Sequence, residues 1–174
     1  MKKLGKVVIV MGSPSDKGKM EPAIWKLIDL VDLEIHILSA HRTPNELTHV
    51  VRESEADIFI AGAGMSAALP GAIAALTVKP VIGIPLSGSA LNGVDALFAI
   101  AQMPKGAPVA TVAIDGAENA AILALEILGI RYEGAEDEVY KLREEMRVDV
   151  IKKDRMFAED ITREYEERQK TNQK

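Results

Sequence analysis

The sequence contains no cysteine, which removes disulfides, thiolate-bound zinc, iron–sulfur clusters and thiol nucleophiles at one stroke. A reducing cytoplasm is the compartment this composition suits. Aromatic residues make up only 4%, so a flat cofactor such as a flavin would find little ring cover. Basic residues have no surplus: 21 Lys and Arg stand against 26 Asp and Glu, a net charge of -5. Such a balance cannot neutralise a phosphate backbone, and nucleic acid is not an expected partner. Long apolar runs are also few. The charge-free stretch from Ile58 to Val78 could span a bilayer by length, but Gly62, Gly64, Pro70 and Gly71 interrupt it. These residues break a continuous helix and leave strand, loop and helix, with no membrane segment. The basic start, Met1 to Lys6, is followed by only Val7 to Met11 before Gly12, which reads as a first strand and is too short for a signal-peptide core.

What is present is an ordinary globular mixture, 48% apolar and 27% charged over 174 residues, enough for one domain with a full core. The charge is unevenly spread. Residues 56 to 130 carry seven charged side chains, whereas residues 131 to 174 carry 24. Within the first stretch, the helical segments Ala67 to Thr77, Val94 to Gln102 and Asn119 to Leu128 are apolar nearly all round, and such helices must be buried. One chain of this size has too little interior for all three, so burial between subunits is expected.

Short β-branched runs alternate with helical stretches. Strands are expected at Lys6–Met11, Asp32–Leu38, Ala56–Ala61, Pro80–Pro85 and Pro108–Ile114; the first and the last three are almost continuously apolar, the pattern of strands covered on both faces. Helices are expected at Asp16–Val31, Pro44–Glu53, Ala67–Thr77, Gly93–Gln102 and Gly116–Leu128. Five strand–helix repeats imply a three-layer, flavodoxin-like α/β fold with a five-stranded parallel sheet and right-handed crossovers. The charged remainder, residues 131 to 174, is expected to extend the 1–130 domain. Its stretch Glu133–Arg168 reads as a long helix with a kink, either an arm packed on a neighbouring subunit or a solvated terminal helix.

In an open parallel sheet a ligand sits beyond the carboxyl ends of the strands, so the turns there are the places to look. Gly12-Ser13-Pro14-Ser15-Asp16 offers hydroxyls and free amides to an anion, although Ser15 or Asp16 as a plain helix cap is an equally physical account. Ser39-Ala40-His41-Arg42-Thr43-Pro44 is more informative. Thr43 before Pro44 suits a helix start, but capping does not explain a titratable imidazole beside a guanidinium that can fork onto phosphate. His36, within strand two, and His49, on a helix surface, read as structural. The glycines of Ala61-Gly62-Ala63-Gly64-Met65-Ser66-Ala67-Ala68 resemble a dinucleotide fingerprint. The next strand ends in Pro85-Leu86-Ser87 without the acid such a site needs, so a small flat ligand approaching the backbone is the better account. The turns Ser87-Gly88-Ser89 and Gln102 to Gly106 were expected to add polar backbone at the same end.

Together these segments resemble the PurE family, whose members make 4-carboxy-5-aminoimidazole ribonucleotide in purine biosynthesis. The shared segments are Met11 to Asp16, Ser39 to Pro44, Leu69-Pro70-Gly71, Pro80 to Pro85, Leu91 to Asp95, Gln102 to Gly106, Pro108 to Ile114 and Asn119-Ala120-Ala121, spanning roughly residues 5 to 130. The resemblance implies an octamer that uses neither metal nor organic cofactor, acting on a small ribonucleotide and CO2. It further implies a phosphate site at Ser13, Ser39 and Arg42, with Asp16 on the ribose hydroxyls and His41 as the acid–base. Ser15, Ala40, Gly64, Ser66, Ala68 and Leu69 would complete the substrate site. One departure stands out: most mutase-type members carry histidine where this chain has Ala68. The mutase reading therefore stands beside direct carboxylation of aminoimidazole ribonucleotide by CO2, and beside a nucleotide-binding relative without catalysis. A mutase would draw its N5-carboxylated substrate from an ATP-grasp synthase.

Overall fold

The computed structural model describes residues 3–172. Strands β1 (Lys6–Met11), β2 (Asp32–Ile37), β3 (Ile58–Gly64), β4 (Val81–Leu86) and β5 (Ala110–Thr111) form one parallel sheet in the order β2-β1-β3-β4-β5. Helices α1 (Lys17–Leu27), α2 (Pro44–Glu53), α3 (Ala68–Ala74) and α4 (Val94–Ala101) connect successive strands, and α5 (Ala117–Gly129) follows β5. α1 packs against α5, while α2, α3 and α4 pack in a row, giving the expected three-layer, flavodoxin-like arrangement.

The apolar runs at the sheet centre behave as their composition demands. Val7 to Met11, Ile58 to Ala63 and Val81 to Leu86 are buried, and each fully covered Val, Leu or Ile contributes about 1.5–3 kcal/mol of transfer free energy. Helix approach shapes the sequence here as well. A Cβ on Gly62 would lie 2.2 Å from Met20 Sδ, and one on Gly83 would lie 2.5 Å from Ile100 Cγ2. Both partners are fully buried, so these glycines let α1 and α4 lie close on the sheet.

Several expected boundaries move, each for a physical reason. The fifth strand was expected over Pro108–Ile114 and covered on both sides, but only Ala110 and Thr111 pair, opposite Ile82 and Gly83, and both remain partly exposed. This is the sheet edge, and beyond it the backbone keeps only scattered bonds, such as Val112 N–H to Gly83 and Asp115 N–H to Pro85. The third strand continues past Ala61, because Ala63 and Gly64 pair with Pro85 and Leu86. The first helix is shorter than Asp16–Val31: a 3-10 turn over Pro14–Asp16 precedes α1, which ends at Leu27. α3 also shrinks, since Ala67 is left-handed at φ 38° and cannot begin a helix. The charged segment forms one helix, α6 (Ala135–Asn172), a single run of 38 residues.

Not all three apolar helices need cover from elsewhere. α5 buries Ala117, Ala120, Ala121, Ala124, Leu125 and Leu128 within the chain, and α3 buries Leu69, Pro70, Ile73 and Ala74. α4 differs: it buries Ala96 and Ile100, while Val94, Phe98 and the neighbouring Leu91 stay exposed. The chain divides into two compact units, one up to Ala135 and one from Glu136. Among the described residues no helix is long and apolar enough to cross a membrane.

Candidate active site

The sheet order reverses around β1, whose neighbours are β2 and β3. All strands run parallel, so the loops after β1, β2, β3 and β4 converge at one end. They enclose a cavity of about 630 Å3 lined by Ser13, Ser15, Asp16, Ser39, Ala40, His41, Arg42, Gly64, Ser66, Ala68 and Leu69. Every residue assigned to the substrate site from the sequence is in that lining. His36 and His49 are not; His36 Nε2 instead lies 2.6 Å from Glu34 Oε1 on β2.

The first loop is organised by its hydroxyls. Ser13 Oγ accepts from Ser15 N–H at 3.3 Å and from the Ser15 hydroxyl at 2.8 Å, capping the 3-10 turn. Asp16 precedes α1 but makes no side-chain cap bond there, and it lines the cavity. In the second loop, Thr43 holds the expected N-cap position of α2 with Pro44 following it, but its side chain makes no cap bond to the helix. Its hydroxyl accepts from Ser39 N–H at 2.8 Å and donates to the Ser39 carbonyl at 3.2 Å, closing the loop on itself. Ser39 Oγ accepts from Arg42 N–H at 3.3 Å, and Arg42 Nη2 donates to the Gly12 carbonyl at 2.9 Å. The guanidinium thus spans the first two loops. His41 is exposed and makes no hydrogen bond among the described residues, so its ring is free to meet a ligand.

The third loop is conformationally tense. Met65 and Ala67 both adopt left-handed backbone, at φ 57° and 38°, each costing about 1–3 kcal/mol and held there only because the surrounding structure imposes it. A Cβ on Gly64 would sit 3.1 Å from the Leu86 carbonyl oxygen, so a larger residue here would press on β4 where the two strands pair. The outcome is a narrow turn that presents Ser66 and Ala68 to the cavity above buried Ala67 and Leu69.

Reading the sequence did not single out Lys19, or Ser87 and Ser89 as individual lining residues. Lys19 follows Asp16 by one helical turn, so helical spacing was the available signal; the serines stand at the end of β4, where the strand-end rule already pointed. The Gln102–Gly106 turn needs correction: it connects α4 to β5, on the helix-to-strand side, and does not line the cavity. Among the described residues no group of three or more His, Asp or Glu side chains is placed to hold a metal ion.

Known proteins resemble this chain in sequence and in fold. A sequence model described as "AIR carboxylase" matches residues 6–149. The chain is 53% identical over 146 residues to N5-carboxyaminoimidazole ribonucleotide mutase of Pyrococcus abyssi, covering 82% of this chain and 84% of that one. It is 51% identical over 126 residues to phosphoribosylaminoimidazole carboxylase of Schizosaccharomyces pombe, covering 70% of this chain and 23% of that one. A solved structure of Treponema denticola PurE superposes with a TM-score of 0.76 at 28% identity, covering 86% of this chain and 96% of that one.

Burial pushes the Asp16 carboxyl above the usual carboxylate range. Backbone hydrogen bonds at Ser13 and Gly12 and the charges of Lys19 and Arg42 pull the other way without cancelling it. Because the folded-state value exceeds the unfolded one, ionised Asp16 costs the fold stability. That cost is fully present above the folded value and disappears as pH falls below the unfolded value near 3.8. Asp16→Asn is therefore expected to raise the Tm at pH 7, with the gain vanishing below about pH 4. Thermal unfolding followed across pH checks this; a variant less stable than wild type at pH 7 contradicts it.

Proposed function

The chain belongs to the AIR carboxylase family, and on that premise we propose that it converts N5-carboxyaminoimidazole ribonucleotide to 4-carboxy-5-aminoimidazole ribonucleotide in purine biosynthesis. The observation that carries this reading is the placement of His41 and Arg42 in one loop of one cavity, alongside Ser13, Ser39 and Asp16. A ribonucleotide needs a cation and hydroxyls for its phosphate and an acceptor for its ribose, and the reaction needs one group that titrates near neutrality. In this reading Arg42, Ser13 and Ser39 hold the phosphate and Asp16 accepts from the ribose hydroxyls. Ser15, Ala40, Gly64, Ser66, Ala68 and Leu69 surround the ring and the transferred carboxyl group.

The proton balance closes on His41 alone. As an imidazolium it gives its proton to N5 while the N5–carboxyl bond breaks, leaving CO2 and aminoimidazole ribonucleotide. Ring carbon C4 then attacks CO2, and the neutral imidazole removes the C4 proton as aromaticity returns. His41 ends as it began, so the reaction is an isomerisation with no net proton. The small apolar groups of Ala40, Ala67 and Leu69 suit a neutral CO2 that must be captured before it reaches water.

Ala68 favours a second reading, direct carboxylation of aminoimidazole ribonucleotide by CO2. Without a side-chain donor at position 68, the Ser66 hydroxyl and nearby amides are left to recognise the carboxylate. Both readings share the product and the role of His41. Rates should be measured on the N5-carboxylated substrate and on aminoimidazole ribonucleotide with high bicarbonate and no ATP, for wild type, His41→Asn and Ala68→His. We expect wild type to favour the first substrate while retaining measurable activity on the second. His41→Asn should lose about two to four orders of magnitude on both, and Ala68→His should shift the ratio toward the first. Wild-type activity on CO2 alone would promote the direct carboxylase, and inactivity on both would favour a nucleotide-binding relative without catalysis.

The exposed Leu91, Val94 and Phe98 support assembly into a homo-oligomer, proposed as an octamer, with the α6 extension of the 1–130 domain packed on a neighbouring subunit. A cytoplasmic location and a substrate supply from an ATP-grasp synthase fit the same reading; cell fractionation and assay of a co-purifying synthase test them. Light scattering at micromolar concentration should return a mass several times 18.8 kDa. A stable monomer would refute the assembly.

A further inference from the structure

Lys19 has no part in the scheme above, yet it lines the same cavity. It sits on α1, three residues after Asp16, and its ammonium reaches across to the loop after β4. Nζ donates to the Ser87 carbonyl and, at 2.9 Å, to Ser87 Oγ, and it lies 3.9 Å from Asp115 Oδ1. Asp115, in the loop after β5, accepts from Ser87 N–H at 2.9 Å and from the Ser87 hydroxyl at 2.5 Å. The amide, carbonyl and hydroxyl of Ser87 are thereby all engaged between one cation and one anion. Asp115 is fixed in turn: its backbone is left-handed at φ 55°, and its N–H bonds to the Pro85 carbonyl at 2.8 Å. Helix α1 and the loops after β4 and β5 are thereby joined, immediately beside Gly88 and Ser89 of the cavity wall.

Resting on the functional reading given above, we propose that Lys19 is a positioning residue for the carboxyl-transfer reaction: through Ser87 and Asp115 it fixes the loop after β4 as a wall of the substrate cavity. A salt bridge on an open surface would contribute little. Here the ion pair is partly covered, with about a third of each side chain exposed, and it acts on a loop whose Gly88 has φ 109° and no regular structure to hold it. A loop left loose would widen the cavity, and a shift of even about 1 Å in a reacting site can cost two orders of magnitude. The ammonium has a second effect. Asp16 is faced by Lys19 from its own helix and by Arg42 from the loop after β2, and the positive charge of Lys19 favours its ionised form. His41 shares the cavity, and Asp115 offsets part of the Lys19 charge.

These two effects make the role separable from a purely structural brace. Full pH profiles of kcat and KM on the N5-carboxylated substrate should be measured for the full-length wild type, Lys19→Met, Lys19→Arg and Asp115→Asn. The expected result is a loss in kcat/KM of about tenfold for Lys19→Met and Asp115→Asn, carried more by KM than by kcat, with substantial recovery in Lys19→Arg. The acid limb should move to higher pH in Lys19→Met, where Asp16 loses a neighbouring cation, and should not move upward in Asp115→Asn, where that cation remains. Thermal unfolding of each variant supplies the control. Two variants within twofold of wild type would overturn the proposal. So would activity loss that simply follows lost stability, with no movement of the acid limb and no recovery in Lys19→Arg. An inactive wild type would remove the functional reading beneath it, and the proposal with it, a result distinct from an active wild type with indifferent variants.

Discussion

The cavity depends on the parallel pairing of β1 with both of its neighbours. Met11 is level with Ile37 of β2 and Gly62 of β3, so the chain leaves each of these strands at nearly the same height. That register brings Gly12 and Arg42 within one hydrogen bond of each other although 30 residues separate them. A one-residue slip would exchange the two covered faces of these strands, repacking β1, β3 and β4 against different helices and misaligning the loops. The site is therefore held in place by the core beneath it, and the loops need only short local bonds to finish it.

Those local bonds divide the labour. Ser13, Ser39 and Thr43 stabilise the first two loops internally, which among the described residues leaves the His41 ring without a hydrogen bond and the Arg42 guanidinium on the Gly12 carbonyl. The third loop stores backbone strain at Met65 and Ala67, and Asp16 carries a desolvated charge. Both features cost stability and are tolerated because the sheet is well buried. This is the usual character of a binding site prepared in advance of its ligand.

Much of this was legible in the residues. The β-branched runs revealed the four longer strands, and the strand-end rule located His41, Arg42, Ser13 and Asp16 without knowledge of the packing. What was not legible depends on distance across the fold. Nothing in Lys19 itself says that it meets Ser87 and Asp115, 68 and 96 positions away, because that meeting is set by how α1 lies on the sheet. The fifth strand was overestimated because Pro108 to Ile114 has the composition of a covered strand while occupying the sheet edge. Composition also could not separate α5, which buries its apolar face within the chain, from α4, which leaves Phe98 exposed. Ala68 lines the cavity at the start of α3, and its consequence is chemical: it offers no side-chain donor to a carboxylate.

The central claim is that one cavity releases a carboxyl group from N5 and returns it to C4 before it escapes, with His41 moving the single proton. The most direct test follows the carbon itself. N5-carboxyaminoimidazole ribonucleotide labelled with 13C in its carboxyl group would be turned over in excess unlabelled bicarbonate, and the label in the 4-carboxy product read by mass spectrometry. Retention of the label in most of the product is the predicted result; product carrying only the isotope content of the bicarbonate pool would contradict it.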